Sequence, residues 1–325
     1  MRIYAKCLVV ALAAGVTGIA QQPPARPAPQ RYRSKVAVYD LARRSSSVVY
    51  EMDQVVEAPN WSRDGKHLLV NTGGNLYRLA LGVTPATIEK IDLGEGGYRC
   101  NNDHDYSPDG RLMAFSASSA ASRQSQVYVA KADGSGVKLL TPAAPSYFHG
   151  WSPDGKWLAF VGQRSGKFEL YRVPVEGGAE ERLTSKGAYD DGPEYTPDGK
   201  WIYFNSDRSG GWDVWRMPAG GAGPGDAKAE PVTRDEWEDW FPHFSPDGKW
   251  MLVFSFPKGT RGHNGRMEGV ALRLLRTPGN RVRPDERLDV LTTFFGGQGT
   301  INVNSWSPDS KKFAYVIYEP LGPSN

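Results

Sequence analysis

Cysteine is almost absent from this chain of 325 residues, which contains only Cys7 and Cys100. Cys7 falls in a predicted N-terminal signal and lacks the small-residue context of a lipoprotein cleavage box. Cys100 is then left without a partner in the mature chain, so we expect no internal disulfide. Side-chain packing must therefore hold the fold together.

A strong net charge, a long apolar run and a long helical period are also missing. The 39 Lys and Arg against 36 Asp and Glu give a formal charge of +3, which favours neither nucleic acid nor an anionic membrane surface as a partner. The apolar stretch 7–20 is interrupted by Gly15 and Gly18 and is short for a membrane span. With basic residues before it, it predicts a cleaved secretory signal over 1–20, with a retained anchor as the alternative.

What the sequence does contain is a short motif of the form aromatic-Ser-Pro-Asp-Gly in six copies, three of which carry one edit each: Arg63 for Pro, Thr196 for Ser and Ser310 for Gly. The copies begin at Trp61, Tyr106, Trp151, Tyr195, Phe244 and Trp306. Pro sets a negative φ, Asp accepts hydrogen bonds from nearby amides and Gly adopts the left-handed conformation, so each copy predicts a tight turn between two strands. Their spacing of roughly 45 to 60 residues indicates repeated sheet units.

Strands at the two chain ends complement each other. Two strands, 35–41 and 47–51, precede the first motif, and a single strand, 312–318, follows the last one. Pairing of the two ends would complete one blade and close a ring without exposed edges. The sequence therefore predicts an all-β fold, a six-bladed β-propeller in which N-terminal strands complete the last blade.

The predicted domain boundaries follow from this reading. The signal at 1–20 is followed by a Pro/Gln-rich linker at 21–34, which is expected to be extended. The propeller occupies 35–320, and a short tail follows at 321–325. We expect a periplasmic or secreted protein.

The repeats resemble those of TolB-type propellers over roughly residues 35 to 320. The resemblance is carried by the W-S-P-D-G-K turn, by strands such as Leu170-Tyr171-Arg172 and by endings such as Arg182-Leu183-Thr184. Similar propellers occur in the periplasmic Tol-system protein, in prolyl-oligopeptidase-type hydrolases and in oligogalacturonate lyases. We expect neither the additional α/β domain of the first nor the hydrolase domain of the second in this chain. The resemblance therefore implies the fold and leaves the function open.

Polar residues concentrate just before the turn motifs, where the innermost strands of a propeller converge on its channel. This predicts a ligand-binding mouth made of Asp103, Asp190, Asp191, Glu194, Asp239, Trp240, Asn302 and Asn304. Trp240 and its neighbour Trp237 do not fit the repeat, and an indole there could stack on a sugar or a partner side chain. Packing across the blade junction is the alternative for these two tryptophans.

Three of the five histidines, His104, His149 and His243, occupy nearly equivalent repeat positions. Equivalent positions in a ring approach one another, so these residues predict a divalent metal site completed by Asp or Glu. Such a site would resemble that of the metal-dependent oligogalacturonate lyases. The alternative is that each imidazole hydrogen-bonds a neighbouring blade and that the carboxylates are solvated.

Two functions from different classes follow. The leading one is a monomeric binding or scaffold module that engages a protein or a glycan at the channel mouth, without nucleic acid and without a membrane span after signal cleavage. The alternative is a carbohydrate-active lyase or hydrolase that uses the histidines, the carboxylates and a divalent metal. The sequence alone does not decide between a binding protein and an enzyme.

Overall fold

The computed structural model describes residues 30–185, 187–277 and 288–322, which form six sheets arranged as the blades of a propeller. The predicted signal, residues 21–29 of the predicted linker and residues 323–325 of the predicted tail lie outside the described residues. The first strand begins at Arg31, so the last four residues of the predicted linker belong to the propeller. Regular structure is almost entirely β, with two short 3-10 helices at Pro224–Asp226 and Gln298–Thr300. Within the described ranges, no helix is long and apolar enough to cross a bilayer.

Five blades have four strands each, in simple up-and-down order. The first contains β3 to β6, at Val56–Trp61, His67–Thr72, Asn75–Ala80 and Ile88–Lys90. The second contains β7 to β10, at Arg99–Tyr106, Leu112–Ser118, Gln126–Lys131 and Lys138–Leu139. The third contains β11 to β14, at Ser146–Trp151, Trp157–Gln163, Phe168–Pro174 and Glu181–Arg182. The fourth contains β15 to β18, at Asp190–Tyr195, Trp201–Ser206, Asp213–Pro218 and Glu230–Pro231. The fifth contains β19 to β22, at Trp237–Phe244, Trp250–Pro257, Met267–Arg276 and Asp289–Gly296.

The sixth blade is shared between the two ends of the chain, which confirms the predicted closure. Its strands are β1 (Arg31–Asp40), β2 (Ser45–Met52) and β23 (Lys312–Leu321), in the order β2-β1-β23. β1 and β23 are antiparallel and in register over their whole length. The innermost position is occupied by the segment before the last turn motif. It pairs with β23 through an isolated Trp306–Phe313 bridge, and the Ala314 N–H donates to the Ser305 carbonyl at 3.0 Å.

The turn motif has the predicted geometry, with an additional serine interaction. In the third copy the Ser152 hydroxyl donates to Asp154 Oδ1 at 2.6 Å, and that oxygen accepts the Lys156 N–H at 3.1 Å. Ser152 Oγ also accepts the Trp157 N–H at 2.9 Å. Gly155 lies at φ 70°, in the left-handed region. The Ser and Asp side chains thus satisfy backbone donors that the tight turn would otherwise leave free.

Hydrophobic packing occurs between blades as well as within them. One buried cluster joins Leu170 of the third blade to Ile202 of the fourth, and another joins Val36 of the sixth to Leu68 of the first. The innermost strands approach closely, since a Cβ added at Gly150 would lie 2.7 Å from the Pro193 carbonyl oxygen. Each blade therefore depends on its neighbours for a complete core.

The innermost strand of every four-stranded blade contains a break in register. In β15 the break lies between Asp191 and Glu194, and the other four innermost strands have one at a similar place. Ala58, Gly192 and Phe241, each three residues before a turn motif, have φ of 50°, 58° and 50°. Such bulges interrupt the alternation of side chains along a strand, so residues before and after them point to different parts of the channel.

The closing strand offers a direct test of the ring. Val316 on β23 pairs with Val36 and is fully buried, so we expect Val316→Ala to lower the free energy of unfolding by about 2 kcal/mol. The matched control is Val48→Ala on β2, where the side chain is 47% exposed and the change should be within about 0.5 kcal/mol. Urea denaturation of the two variants measures both values. Equal, small changes would contradict a buried seam at the chain ends.

Candidate functional site

The channel opens at both ends of the innermost strands, and each end has its own recess. The first, which we call the turn-face depression, has a volume of about 370 Å³ and lies beside the turn motifs. The second, which we call the entry cavity, has a volume of about 300 Å³ and lies where the innermost strands begin. His149 contacts both recesses. The polar residues that we expected at a single channel mouth are therefore divided between these two recesses.

The rim of the turn-face depression is built by the same turn position of all six motifs. That position contributes Arg63, Pro108, Pro153, Pro197, Pro246 and Pro308. The polar lining residues Asp105, Glu194 and Asn304 come from three different innermost segments. Five prolines and one arginine, all at the same motif position, therefore surround a small polar floor.

Glu194 connects three blades at this floor. Its Oε1 accepts the Phe244 N–H at 2.8 Å and the Asn304 Nδ2–H at 2.7 Å, and its Oε2 lies 2.6 Å from His243 Nδ1. These partners belong to the fifth and sixth blades, while Glu194 belongs to the fourth. The carboxylate is mostly buried and its hydrogen bonds serve the assembly of the channel.

Arg63 plays a similar part between the first and second blades. Its Nη2 lies 3.0 Å from Asp105 Oδ2, and its Nε donates to the Ser107 carbonyl at 3.0 Å. Burial raises the pKa of Asp105 to about 6, although the nearby guanidinium opposes this shift. The arginine that replaces proline in the first motif thus has a structural role at the rim.

The entry cavity is organised around Asp191. Its Oδ1 lies 3.1 Å from His149 Nε2, and its Oδ2 lies 3.7 Å from His263 Nε2. Burial opposes ionisation of Asp191, but the hydrogen bond from His149 and the charges of both imidazoles hold its pKa below the usual range. His263 comes from the fifth-blade loop between Pro257 and Met267.

The two imidazoles respond differently to this environment. Burial lowers the pKa of His149, but the hydrogen bond and charge of Asp191, helped by Asp103, outweigh it and leave the pKa raised. Burial lowers the pKa of His263 to about 4, because Asp191 is farther away and compensates less. At neutral pH His263 is therefore uncharged.

Asp103 is the second carboxylate of the entry cavity. It accepts a hydrogen bond from Asn302 Nδ2, which reaches it from the sixth blade. Burial raises the pKa of Asp103 to about 6, while His149 acts in the opposite direction and Asp191 adds to the increase. Asp103, Asp191, Asn302 and His149 are thus four predicted residues that the structure does bring together.

Other predicted site residues face away from both recesses. Asp190 pairs with Arg208 at 2.8 Å, and Asp239 pairs with Arg273 at 2.9 Å; all four side chains are buried. Both carboxylates are thereby committed to pairs within their own blades.

Trp240 is fully buried and packs on Trp212 with ring centroids 3.9 Å apart. Its contacts are those of the packing alternative. The reason is that β19 turns this face towards the core of the fourth and fifth blades.

The residues present do not fit the predicted three-histidine metal site. His149 is engaged with Asp191, His243 with Glu194, and His104 is fully buried with neither ring nitrogen bonded. Among the described residues, no three His, Cys, Asp or Glu side chains converge as metal ligands would. The metal assignment stays a prediction from repeat positions, and no step of the proposals below uses a metal.

Sequence analysis missed residues that contribute to both recesses. Arg63 was noted only as an edit of the motif, and Phe241 was not singled out, although its φ of 50° places its ring against His149 and His263. A left-handed phenylalanine leaves no signal in a single sequence. The rim position itself could be recognised in the sequence, because the turn motif that contains it occurs six times.

The comparisons with known proteins agree with the architecture. Residues 143–277 match the family model of the TolB β-propeller domain. An uncharacterized protein of Agrobacterium fabrum is 40% identical over 289 residues, which cover 89% of this chain and 94% of that protein. The solved structure of a putative TolB from Agrobacterium tumefaciens has 40% identity and a TM-score of 0.81, and the match covers 89% of this chain and 99% of the other.

A more distant relative is the Tol-Pal system protein TolB of Francisella tularensis subsp. mediasiatica. It is 27% identical over 130 residues, which correspond to 39% of this chain and 29% of the relative. The match therefore covers less than half of this chain and less than a third of that relative.

His104 provides a pH test of the buried channel wall. Burial lowers its pKa to about 3, whereas an unfolded histidine titrates near 6.5, so between these values only the unfolded chain takes up the proton and acid destabilises the fold. We expect the wild-type protein to lose about 2 kcal/mol more stability between pH 7 and pH 5 than the His104→Leu variant. Urea denaturation at both pH values measures this difference, in which other titrating groups cancel. Parallel losses in the two proteins would refute the assignment.

Proposed function

The chain belongs to the family of TolB-like β-propellers, and we propose that it acts as a monomeric binding module that engages a protein partner at the turn-face depression. The observation that carries this proposal is the composition of the rim. Each of the six turn motifs contributes the residue at its third position, and this residue is proline in five of them. The volume of about 370 Å³ is suited to a protruding loop or a chain segment that enters end-on.

Proline makes this rim a prepared binding surface. Its side chain loses almost no conformational freedom when it is covered, so contact with it costs less entropy than contact with long flexible side chains. The turns beneath it are fixed by their Ser and Asp hydrogen bonds, as in Ser152 and Asp154. The rim is thus apolar, rigid and already in place before a partner arrives.

The depression suits a protein better than a glycan. Its aromatic lining residues Trp151, Tyr195 and Phe244 are all buried, so no flat ring is presented for sugar stacking. The Glu194 and Asn304 side chains are already used in bonds between blades. Apolar contact with a polypeptide needs neither free rings nor free polar groups.

The alternative of a metal-dependent lyase or hydrolase receives less support from the geometry. Such chemistry needs a metal or a cationic group beside a base. Of the three candidate histidines, His149 and His243 are each paired with a carboxylate, and among the described residues no three potential metal ligands converge. The relative named as a Tol-Pal system protein points instead to an assembly of several proteins. We extend that association to this chain as part of the proposal.

The proposed location is the periplasm or the exterior of the cell. The support is the N-terminal sequence, in which basic residues precede an apolar stretch of signal-peptide length. Residues 1–30 fused to a phosphatase that needs disulfides should give an active enzyme outside the cytoplasm. Leu12→Arg within the apolar stretch should abolish that activity, and activity that survives this change would argue against export by this segment.

The rim itself supplies the test of partner binding. Short peptides selected from a random phage library on the folded protein should bind wild type and lose affinity by about tenfold, or about 1.4 kcal/mol, on Pro246→Arg. Arginine is compatible with this turn, because Arg63 occupies the same position in the first motif. The added side chain would obstruct the depression without breaking the turn.

The matched control is Pro231→Arg, an exposed position on the outer strand β18. Calorimetry or fluorescence polarisation of the selected peptides should show unchanged dissociation constants for this variant. Selection without enriched peptides, or peptides that bind Pro246→Arg as tightly as wild type, would overturn the proposal.

A further inference from the structure

The entry cavity has features that the proposed partner site at the opposite end of the channel does not use. Three aromatic residues, Tyr147, Phe168 and Tyr189, line it together with Asp103 and Asp191. Phe168 stacks on Tyr189 with ring centroids 5.0 Å apart, and Tyr147 lies 6.2 Å from Phe168. All three rings are partly exposed, which distinguishes them from the core aromatics. An aromatic wall therefore faces two buried carboxylates.

The negative charges of Asp191 and Asp103 affect the hydroxyl groups of the two tyrosines. Burial raises the pKa of the Tyr189 hydroxyl, and the charges of Asp191 and Asp103 raise it further. Tyr147 is affected in the same way, again by burial first and then by both carboxylates. The rings and the carboxylates therefore belong to one electrostatic environment.

The charges in the cavity do not balance. The lining residues that the structure describes include no lysine and no arginine. Two carboxylates face two imidazoles, and only that of His149, next to Asp191, has a raised pKa; the pKa of His263 is lowered to about 4. At neutral pH at least one negative charge is left without a cationic partner.

Hydrogen-bond acceptors are also left over. The Nδ1 atom of His263 has no partner, and this residue is more than nine-tenths buried and lines the cavity. Because the His263 imidazole is neutral, its Nδ1 is an acceptor when the proton is on Nε2, the nitrogen that faces Asp191. The cavity thus offers carboxylate oxygens and a ring nitrogen, and its described lining residues include no lysine or arginine to pair with them.

We propose that the entry cavity binds a primary alkylammonium group. Such a group has three N–H donors for the carboxylates and an imidazole, and a positive charge that Tyr147, Phe168 and Tyr189 can stabilise through their ring faces. Its alkyl stem fits an aromatic wall in a way that a hydrated metal ion does not. The cavity volume of about 300 Å³ corresponds to roughly ten waters, enough for a stem of four or five carbons.

The ammonium can belong to a free amine or to a lysine side chain, and the probes separate these sources. Calorimetric titrations with n-butylamine, cadaverine and Nα-acetyl-lysine methylamide should show saturable binding at constant ionic strength. Tighter binding of cadaverine identifies a free amine, and tighter binding of the lysine derivative identifies a polypeptide. n-Butanol, which has the same stem without the charge, should not bind measurably.

The variants test the two halves of the cavity separately. Asp191→Asn should weaken n-butylamine at least about tenfold, and Tyr189→Leu should weaken it about three- to tenfold through loss of the cation–π contact. The matched control is Tyr98→Leu, since Tyr98 also packs on aromatic rings but lies outside the cavity. If Asp191→Asn does not fold, Asp103→Asn is the replacement, with the same expectation as Asp191→Asn.

Equal binding of n-butanol and n-butylamine, or full affinity in both Asp191→Asn and Tyr189→Leu, would overturn this assignment. The result is independent of the proposed partner site, because Pro246→Arg lies on the turn face and should leave amine binding unchanged. A protein that binds peptides but no amine refutes only the present inference.

Discussion

The antiparallel seam between β1 and β23 is the interaction on which the rest of the structure depends. It runs from the Arg31–Leu321 pair to the Asp40–Lys312 pair and joins the first described strand to the last. Without it, the buried cluster shared by the sixth and first blades would open to water, and both recesses would lose one wall. Because each blade packs its faces against two neighbours, closure buries the last pair of faces and forms the channel in one step.

Within this ring, the face of a strand on which a carboxylate lies decides its role. Asp190 and Asp191 are neighbours on β15 and point to opposite faces. Asp190 meets Arg208 and becomes part of the blade, whereas Asp191 meets His149 and His263 and lines the entry cavity. The same residue type therefore serves structure in one position and is available for recognition in the next. Both oxygens of Asp190 accept hydrogen bonds from Arg208, whereas Asp191 lies next to two imidazoles and lines a cavity.

The sequence was sufficient for the fold because the relevant signals repeat. Six turn motifs determine the number of blades, and the surplus strands at the two ends determine closure. The site was only partly predictable, because it depends on individual side-chain contacts that do not repeat along the sequence. Asp239 was expected at the mouth, yet its partner Arg273 lies 34 residues away, and nothing local indicates that the two side chains meet. The bulges likewise divide the polar residues between two recesses, and a bulge at Asp191–Glu194 has no marker except Gly192.

The left-handed residue in the bulge shows how far such a local feature can be explained by the repeat. Ala58, Gly192 and Phe241 adopt it at the same distance from the turn motif, so the conformation belongs to the architecture of the innermost strands. Glycine accepts it freely, whereas a phenylalanine there is strained and persists only when its surroundings hold it. Those surroundings are the stacked ring of His149 and the edge of His263. The Phe241 ring thus supports the two imidazoles that face Asp191. The fifth blade therefore helps to position the polar groups of the entry cavity.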